Sequence, residues 1–355
     1  MLCIFHNKLR NSRIKQSFWC VICSNSSMRN KLQYNKIYDY LQPNEISLLG
    51  KLNIVIKKYV NYSSIFNKYK IKTRNVHATT YGILKGTFQV NKNNEVNNWF
   101  AEKEFDVIVR LSNAHMKLVD NYKIPMYGLA IKLLHNEYTW ANFPLVNFPL
   151  FPFTNVSYFI KIFMHLNHFQ LARGIIKIKY LFLIGFYTLL SLPSFLHPSF
   201  IKQSIQFVKN RKKYIMDCNY HSIGVYRWNE YMIKLRLTPL NIHTSHNSAS
   251  ELPIEEYIKK HGSYHAEMSV QFCYDDTKHP INKLNQEWKD SPFISIGKLT
   301  LNEVLDKTCE KYEILSFNPF ENIEKLQPVG KIQMLRKTAY EASLFARNSP
   351  NKQKK

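Results

Sequence analysis

Five short segments, residues 87–90, 105–111, 129–134, 231–237 and 268–274, constrain the fold more than any other feature of the chain. Their side chains alternate or run apolar with β-branched residues, and Gly, Pro and Asn punctuate their ends. Between the third and fourth lies a long apolar middle of helical character, and a helical stretch closes the sequence. Strands, helices, strands and a last helix predict an α+β domain built on a barrel or a large antiparallel sheet. There is no internal repeat and no Gly-rich phosphate loop.

The 355 residues, 45% hydrophobic, suffice for a packed core. Their formal charge of +24 raises the question of an anionic partner. The excess is diffuse, with Lys and Asn recurring beside Ile and Tyr throughout, so a solvated basic surface is expected rather than a nucleic-acid face. Six scattered cysteines do not make a disulfide framework. Cys20 and Cys23 have redox-motif spacing, but no second pair completes a zinc site and no strand-helix context surrounds them.

Residues 1–40 are set aside as a basic tail or transit segment, since Lys and Arg recur there and the first acidic residue is Asp39. Residues 41–348 are taken as the folded domain and 349–355 as a basic tail. The longest uncharged apolar run, 180–201, reaches the lower limit for a membrane span. Pro193, His197 and Pro198 interrupt it, which favours a buried or interfacial helix. Residues 158–179 carry Lys161, Lys177 and Lys179 among apolar neighbours, as amphipathic helices do.

Four stretches carry chemistry when taken in order. Arg74-Asn75-Val76-His77-Ala78 leads into Gly86-Thr87-Phe88-Gln89-Val90, and Val109-Arg110-Leu111-Ser112 follows. Gly128-Leu129-Ala130-Ile131-Lys132 runs on to Val146-Asn147-Phe148-Pro149-Leu150-Phe151. The last is Arg336-Lys337-Thr338-Ala339-Tyr340, with Arg347 seven residues later. Each is weak alone, but together, over roughly residues 70–348, they resemble the catalase family of haem proteins, most closely its shorter catalase-related branch. That branch also shares Leu315-Ser316-Phe317-Asn318-Pro319-Phe320 and Pro328-Val329-Gly330 ahead of the tyrosine helix.

The resemblance implies a catalase-like antiparallel β-barrel with surrounding helices and one buried haem b. It implies Tyr340 as the iron ligand, on a helix expected over 331–347. A phenol must be ionised to ligate iron well, and Arg336, one turn earlier on the same face, can hold the phenolate. His77 becomes the general acid and base, Asn147 orients peroxide, and Ser112 bonds the imidazole and fixes its tautomer. Arg74, Arg110 and Arg347 become partners of the haem propionates. Read without the resemblance, Tyr340 is an ordinary buried tyrosine, His77 a loop cap and Arg347 surface charge. Arg110 sits inside an apolar strand and needs a buried anion or an exit to solvent.

Three departures stand out. The family's Phe after the strand arginine is Leu111, which removes one aromatic stack; Pro125-Met126-Tyr127-Gly128 lacks an arginine that family members often carry; and Phe148 makes the pocket more apolar. The lead expectation is a peroxide-handling oxidoreductase of catalase or peroxidase type, cleaving hydrogen peroxide through a ferryl intermediate. A more apolar pocket opens conversion of fatty-acid hydroperoxides in the manner of an allene oxide synthase, although Val76 beside His77 offers no hydroxyl to restrain the imidazole. A haem-binding or membrane-surface protein without turnover is the alternative of another class. A homo-oligomer stays open, as do cytosol and mitochondrion, and no terminal Ser-Lys-Leu address is present.

Overall fold

The computed structural model of the chain describes residues 30–67, 70–91, 95–100, 102–118, 125–240, 253–309, 312 and 315–349. Cys20, Cys23 and the transit-segment expectation for 1–29 lie outside them, as do residues 350–355.

Four strands form a meander: β1 (Thr80–Val90), β2 (Glu104–Asn113), β3 (Tyr127–His135) and β4 (Tyr138–Val146). β5 (Tyr220–Ser222), β6 (Val225–Trp228), β7 (Tyr231–Pro239), β8 (Tyr264–Phe272), β9 (Phe293–Leu305) and β10 (Pro328–Val329) follow. The sheet order is β10-β6-β7-β5-β4-β3-β2-β1-β9-β8, and an additional β7–β8 ladder closes eight of the strands into an antiparallel barrel. β6 and β10 remain outside the ring, β6 pairing with the start of β7 and β10 with β6. All five predicted strand segments fall in this barrel, at β1, β2, β3, β7 and β8.

The barrel is filled, not open. Inward side chains such as Phe88, Val107, Val109, Leu129, Leu235 and Leu299 make one continuous core, as the period of two requires. Trp99, Phe100, Phe105, Trp140 and Trp228 pack ring against ring within that core, Trp99 and Trp140 stacking at 6.0 Å.

Outside the barrel lie α1 (Pro43–Phe66), α2 (Val156–Leu171), α3 (Ile175–Leu190), the short α4 (Leu192–Phe195), α5 (Pro198–Lys209), α6 (Ile254–His261) and α7 (Lys331–Asn348). α1 opens with Pro43 in its first turn and a capping box between Gln42 and Glu45. α1, α2 and α7 share a second core of Leu52, Ile56, Tyr59, Ile160, Leu335 and Ala342. Proline breaks the 180–201 run as expected: α4 has proline in its first turn and Pro198 opens α5. No helix among the described residues is long and apolar enough to cross a membrane. α3 is not a buried helix either, since none of its residues is buried.

One boundary moves. The tail set at residues 1–40 ends earlier, because the chain from Asn30 onward packs on the domain. Leu32 N–H bonds the Cys273 carbonyl at 2.8 Å, Gln33 bridges Tyr231, and Leu32, Tyr34 and Tyr38 cover a small core of Val225, Met232 and Val329. Asp39 accepts from the Gly330 N–H at 2.6 Å and from the Tyr34 hydroxyl at 2.6 Å, pinning the start of α7. Charge density hid these contacts, because Leu32, Tyr34 and Tyr38 are spaced among Lys and Asn.

Candidate functional site

The site is built on the outer wall of the barrel. Alternation along β2 sends Val107, Val109 and Leu111 inward and leaves Arg110 and Ser112 outward, yet both are buried, at 4% and 3% exposure. On β3, Leu129 and Ile131 point inward and Gly128 faces out, paired with Ser112 across the ladder. The irregular stretch between α1 and β1, which carries Arg74 and His77, covers this part of the wall.

That stretch is fixed from several sides. Thr73 N–H bonds Ser63 Oγ of α1 at 2.8 Å, Asn75 Nδ2 donates to Asn167 Oδ1 of α2 at 2.5 Å, and Ala78 N–H bonds the His115 carbonyl at 3.0 Å. Lys72 Nζ donates to the carbonyls of Ala346 and Ser349, capping the C-terminal end of α7. A segment without regular structure is therefore held by three helices.

His77 occupies the left-handed region with φ of 57°, which is costly for a residue with a Cβ and persists only where neighbours enforce it. Arg110 is the enforcer. Its Nη2 donates to the His77 carbonyl at 2.8 Å, and Nη2 and Nε both donate to Thr80 Oγ1, at 2.8 and 3.1 Å. The charge inside the apolar strand thus finds neutral acceptors in the His77 loop, and Arg110 clamps that loop through Nε and Nη2.

The imidazole Nδ1 lies 3.1 Å from Ser112 Oγ, whose hydroxyl donates to the Gly128 carbonyl at 3.4 Å. With that proton committed, Ser112 accepts from Nδ1–H, and Nε2 keeps its lone pair. Burial, then the charges of Arg110, Arg336 and Arg74, push the imidazole down to about 3, so it is neutral at any ordinary pH. Under the ring sits Gly128, where a Cβ would come within 2.6 Å of Cε1 and Nδ1 and 2.9 Å of Ser112 Oγ. Sequence reading quoted Gly128 but gave it no role; a glycine inside a strand was the available signal.

Tyr340 and Arg336 come from α7, one turn apart, and Arg336 Nη2 donates to the Tyr340 hydroxyl at 3.2 Å. Its other arm donates from Nη1 to Gln333 Oε1 at 2.7 Å, and Gln333 in turn donates to the Val225 carbonyl. Burial would lower the Arg336 guanidinium, but the Tyr340 and Tyr226 phenols beside it raise it above its usual value. Because Arg336 also acts on His77, the barrel-wall group and the α7 group share one electrostatic environment. Arg347 stands on the same face of α7, two turns beyond Tyr340.

Asn147 and Phe148 directly follow β4. Asn147 accepts from the Tyr127 N–H at 2.8 Å, donates to the Pro125 carbonyl at 2.8 Å, and lines a groove with Cys218 and Lys234. Phe148 packs edge-on against Phe200 and Phe207 of α5. Leu111 belongs to the barrel interior, so the aromatic lost there is a core residue. Arg74 Nη2 donates to the Leu315 carbonyl at 3.1 Å, tying the 315–320 approach to the His77 stretch.

The donor set tests the fit of haem. Among the described residues no group of three His, Cys, Asp or Glu could hold a bare metal ion. What the site offers is a phenol held by a guanidinium, a neutral imidazole and further guanidinium groups, the partners that a ferric tetrapyrrole with two carboxylates requires. The residues fit the group.

No protein-family model and no curated protein matches the sequence. Solved structures do. A fungal catalase superposes with a TM-score of 0.59 at 19% identity, covering 81% of this chain and 61% of its own. Catalase A from Saccharomyces cerevisiae gives 0.59 at 16% identity over 81% and 63%, and a bacterial catalase 0.59 at 15% over 87% and 62%. The chain therefore has the catalase fold and spans a little over 60% of the length of these catalases.

Proposed function

We propose that this protein is a haem-dependent oxidoreductase that cleaves peroxide. The observation that carries the reading is His77 itself: half-buried, neutral, bonded through Nδ1 to Ser112, held at positive φ by Arg110, and within the field of Arg336, which holds Tyr340. A structural loop histidine requires none of that apparatus.

In this reading Tyr340 Oη holds the iron, with Arg336 Nη2 stabilising the phenolate, while Arg74 and Arg347 are the candidates for the carboxylates. When bound, ferric haem supplies the electron pair that heterolysis of an O–O bond consumes. His77 Nε2 takes the proton from the near peroxide oxygen and returns it to the far one, which leaves as water. Ser112 and Gly128 hold the ring so that Nε2 keeps its aim throughout. Asn147, held by the Tyr127 N–H and the Pro125 carbonyl, is the candidate to orient the peroxide beside His77.

The deciding experiment is an absorption spectrum of the purified, haem-reconstituted chain, followed by hydrogen peroxide in the same cuvette. A tyrosinate-ligated ferric Soret band with oxygen release is expected. Haem bound without consumption of any peroxide, organic hydroperoxides included, would leave a carrier and not an enzyme; absence of stoichiometric haem would end the reading.

Gly128→Ala tests the support of the imidazole. A methyl group 2.6 Å from the ring must displace it from Ser112, at a stability cost of about 1–3 kcal/mol. Turnover is expected to fall by about 10- to 100-fold while the chain stays folded and retains haem. Unchanged peroxide consumption in a folded Gly128→Ala protein would refute the positioning role.

A further inference from the structure

We propose that the helices α3 and α5 form a docking face for an anionic phospholipid membrane, on which the protein lies without crossing it. This inference is independent of the haem reading.

α3 packs against its neighbours through Tyr180 and Tyr187, Tyr180 stacking on His168 at 4.9 Å and Tyr187 on His165 at 5.8 Å. The opposite stripe, at spacings of three and four, is Ile175, Ile178, Phe182, Phe186 and Leu189. An outward stripe of a soluble helix is normally polar. Here Ile175 is 82% exposed, Ile178 65%, Phe182 71% and Leu189 65%. α5 repeats the arrangement: Phe200 and Phe207 face the protein against Phe148, while Ile201, Ile205 and Val208 stand exposed at spacings of four and three. Leu192 and Leu196 between the helices are exposed too, so the apolar track follows the chain from Ile175 to Val208. That many contiguous exposed apolar side chains mark an interaction surface.

Charge names the occupant. From Glu137 to Asp217 the sequence contains no acidic residue in between, whereas exposed Arg173, Lys177, Lys179, Lys209, Arg211 and Lys212 flank the apolar track. Apolar side chains among basic ones suit the boundary between acyl chains and anionic headgroups. A second copy of this chain seated face to face would set basic groups against basic groups. Residues 1–29 would meet the same repulsion, for they contain no acid either. Length settles the mode of contact: the 16 residues of α3 extend about 24 Å, less than the roughly 30 Å of a bilayer's hydrocarbon.

The test is flotation of the full chain with vesicles of phosphatidylcholine alone and of phosphatidylcholine with phosphatidylserine. Association with the serine-containing vesicles is expected, weakened by added salt. The double variant Ile178→Glu/Phe182→Glu, altering only exposed side chains, should lower it by about tenfold or more. A second variant, Lys177→Glu/Lys179→Glu, keeps the apolar stripe and should lose the preference for phosphatidylserine. Absence of association, or equal association of wild type and the apolar double variant, would overturn the proposal. So would equal binding to both vesicle types. An oligomer that the apolar double variant dissociates in light scattering, without any vesicle binding by the wild type, would assign the face to a second copy instead.

Discussion

His77→Ala is expected to bind haem as the wild type does and to lose turnover by about 10²–10⁴-fold, the span associated with removing a positioned general acid and base. The side chain is the only part deleted, because Arg110 grips the loop by the His77 carbonyl and Thr80, and Ala78 keeps its bond to His115. Loss of turnover with an unaltered Soret band is therefore the signature; normal peroxide consumption would remove His77 from the reaction. A pH profile sharpens the test. Burial holds the wild-type imidazole near 3 against an ordinary value of 6.5, so Nε2 stays a base and the rate should show no histidine limb between about pH 5 and 8. The stability consequence has a definite sign. The unfolded chain binds the extra proton first, so this group's contribution is complete above pH 6.5 and is lost as pH falls toward 3. His221, also pushed down to about 3 by burial, acts in the same direction. A denaturation series should show stability declining through that window, and less steeply in His77→Ala.

The barrel was legible because a period of two survives any background composition. Phe105, Val107, Val109 and Leu111 are bulky and apolar at alternate positions of β2, and the ladder to β3 keeps them inside. Closure was not legible to the same degree. It depends on β7 pairing both β5 and β8, contacts that join Arg236 to His221 on one side and to Ser269 on the other and leave no local trace in sequence. The edge of the domain was lost for a different reason. Leu32, Tyr34 and Tyr38 stand in a basic, Asn-rich stretch with no periodicity, and only the surface made by Val225, Met232 and Val329 gives them a partner.

Within the site, the motifs name the residues, and the contacts those residues make were not legible from them. Arg336 and Tyr340 pair because they lie one helical turn apart on α7, and His77 reaches Ser112 because the stretch ahead of β1 folds over the β2 wall. Arg110 was expected to face a carboxylate. A buried guanidinium can equally be satisfied by a hydroxyl and a carbonyl, and which of these it meets depends on a loop conformation, φ of 57° at residue 77, that no propensity indicates. Gly128 shows the same limit from the other side: the chemistry of the site depends on an absent side chain, visible only once His77 lies over it.

Tyr340→Phe is the complementary loss. Removing one oxygen leaves the ring and helix α7 in place but takes away the phenol that would bind iron as an anion with Arg336 as its counter-charge. Haem retained through gel filtration is expected to fall to a small fraction of the wild-type amount, and the tyrosinate charge-transfer features should vanish from whatever remains. The fold should hold, because the second core packs α7 through Ile332, Leu335, Ala342 and Ala346, with Tyr340 outside that buried set. Arg336→Lys separates ligation from its support. Lysine keeps the charge but cannot reach Gln333 and the phenol together, so haem should bind with weakened affinity rather than be lost. Were Tyr340→Phe to carry full haem with an unchanged spectrum, the iron ligand would lie elsewhere, and the pairing of α7 with the His77 wall would have to be explained as packing alone.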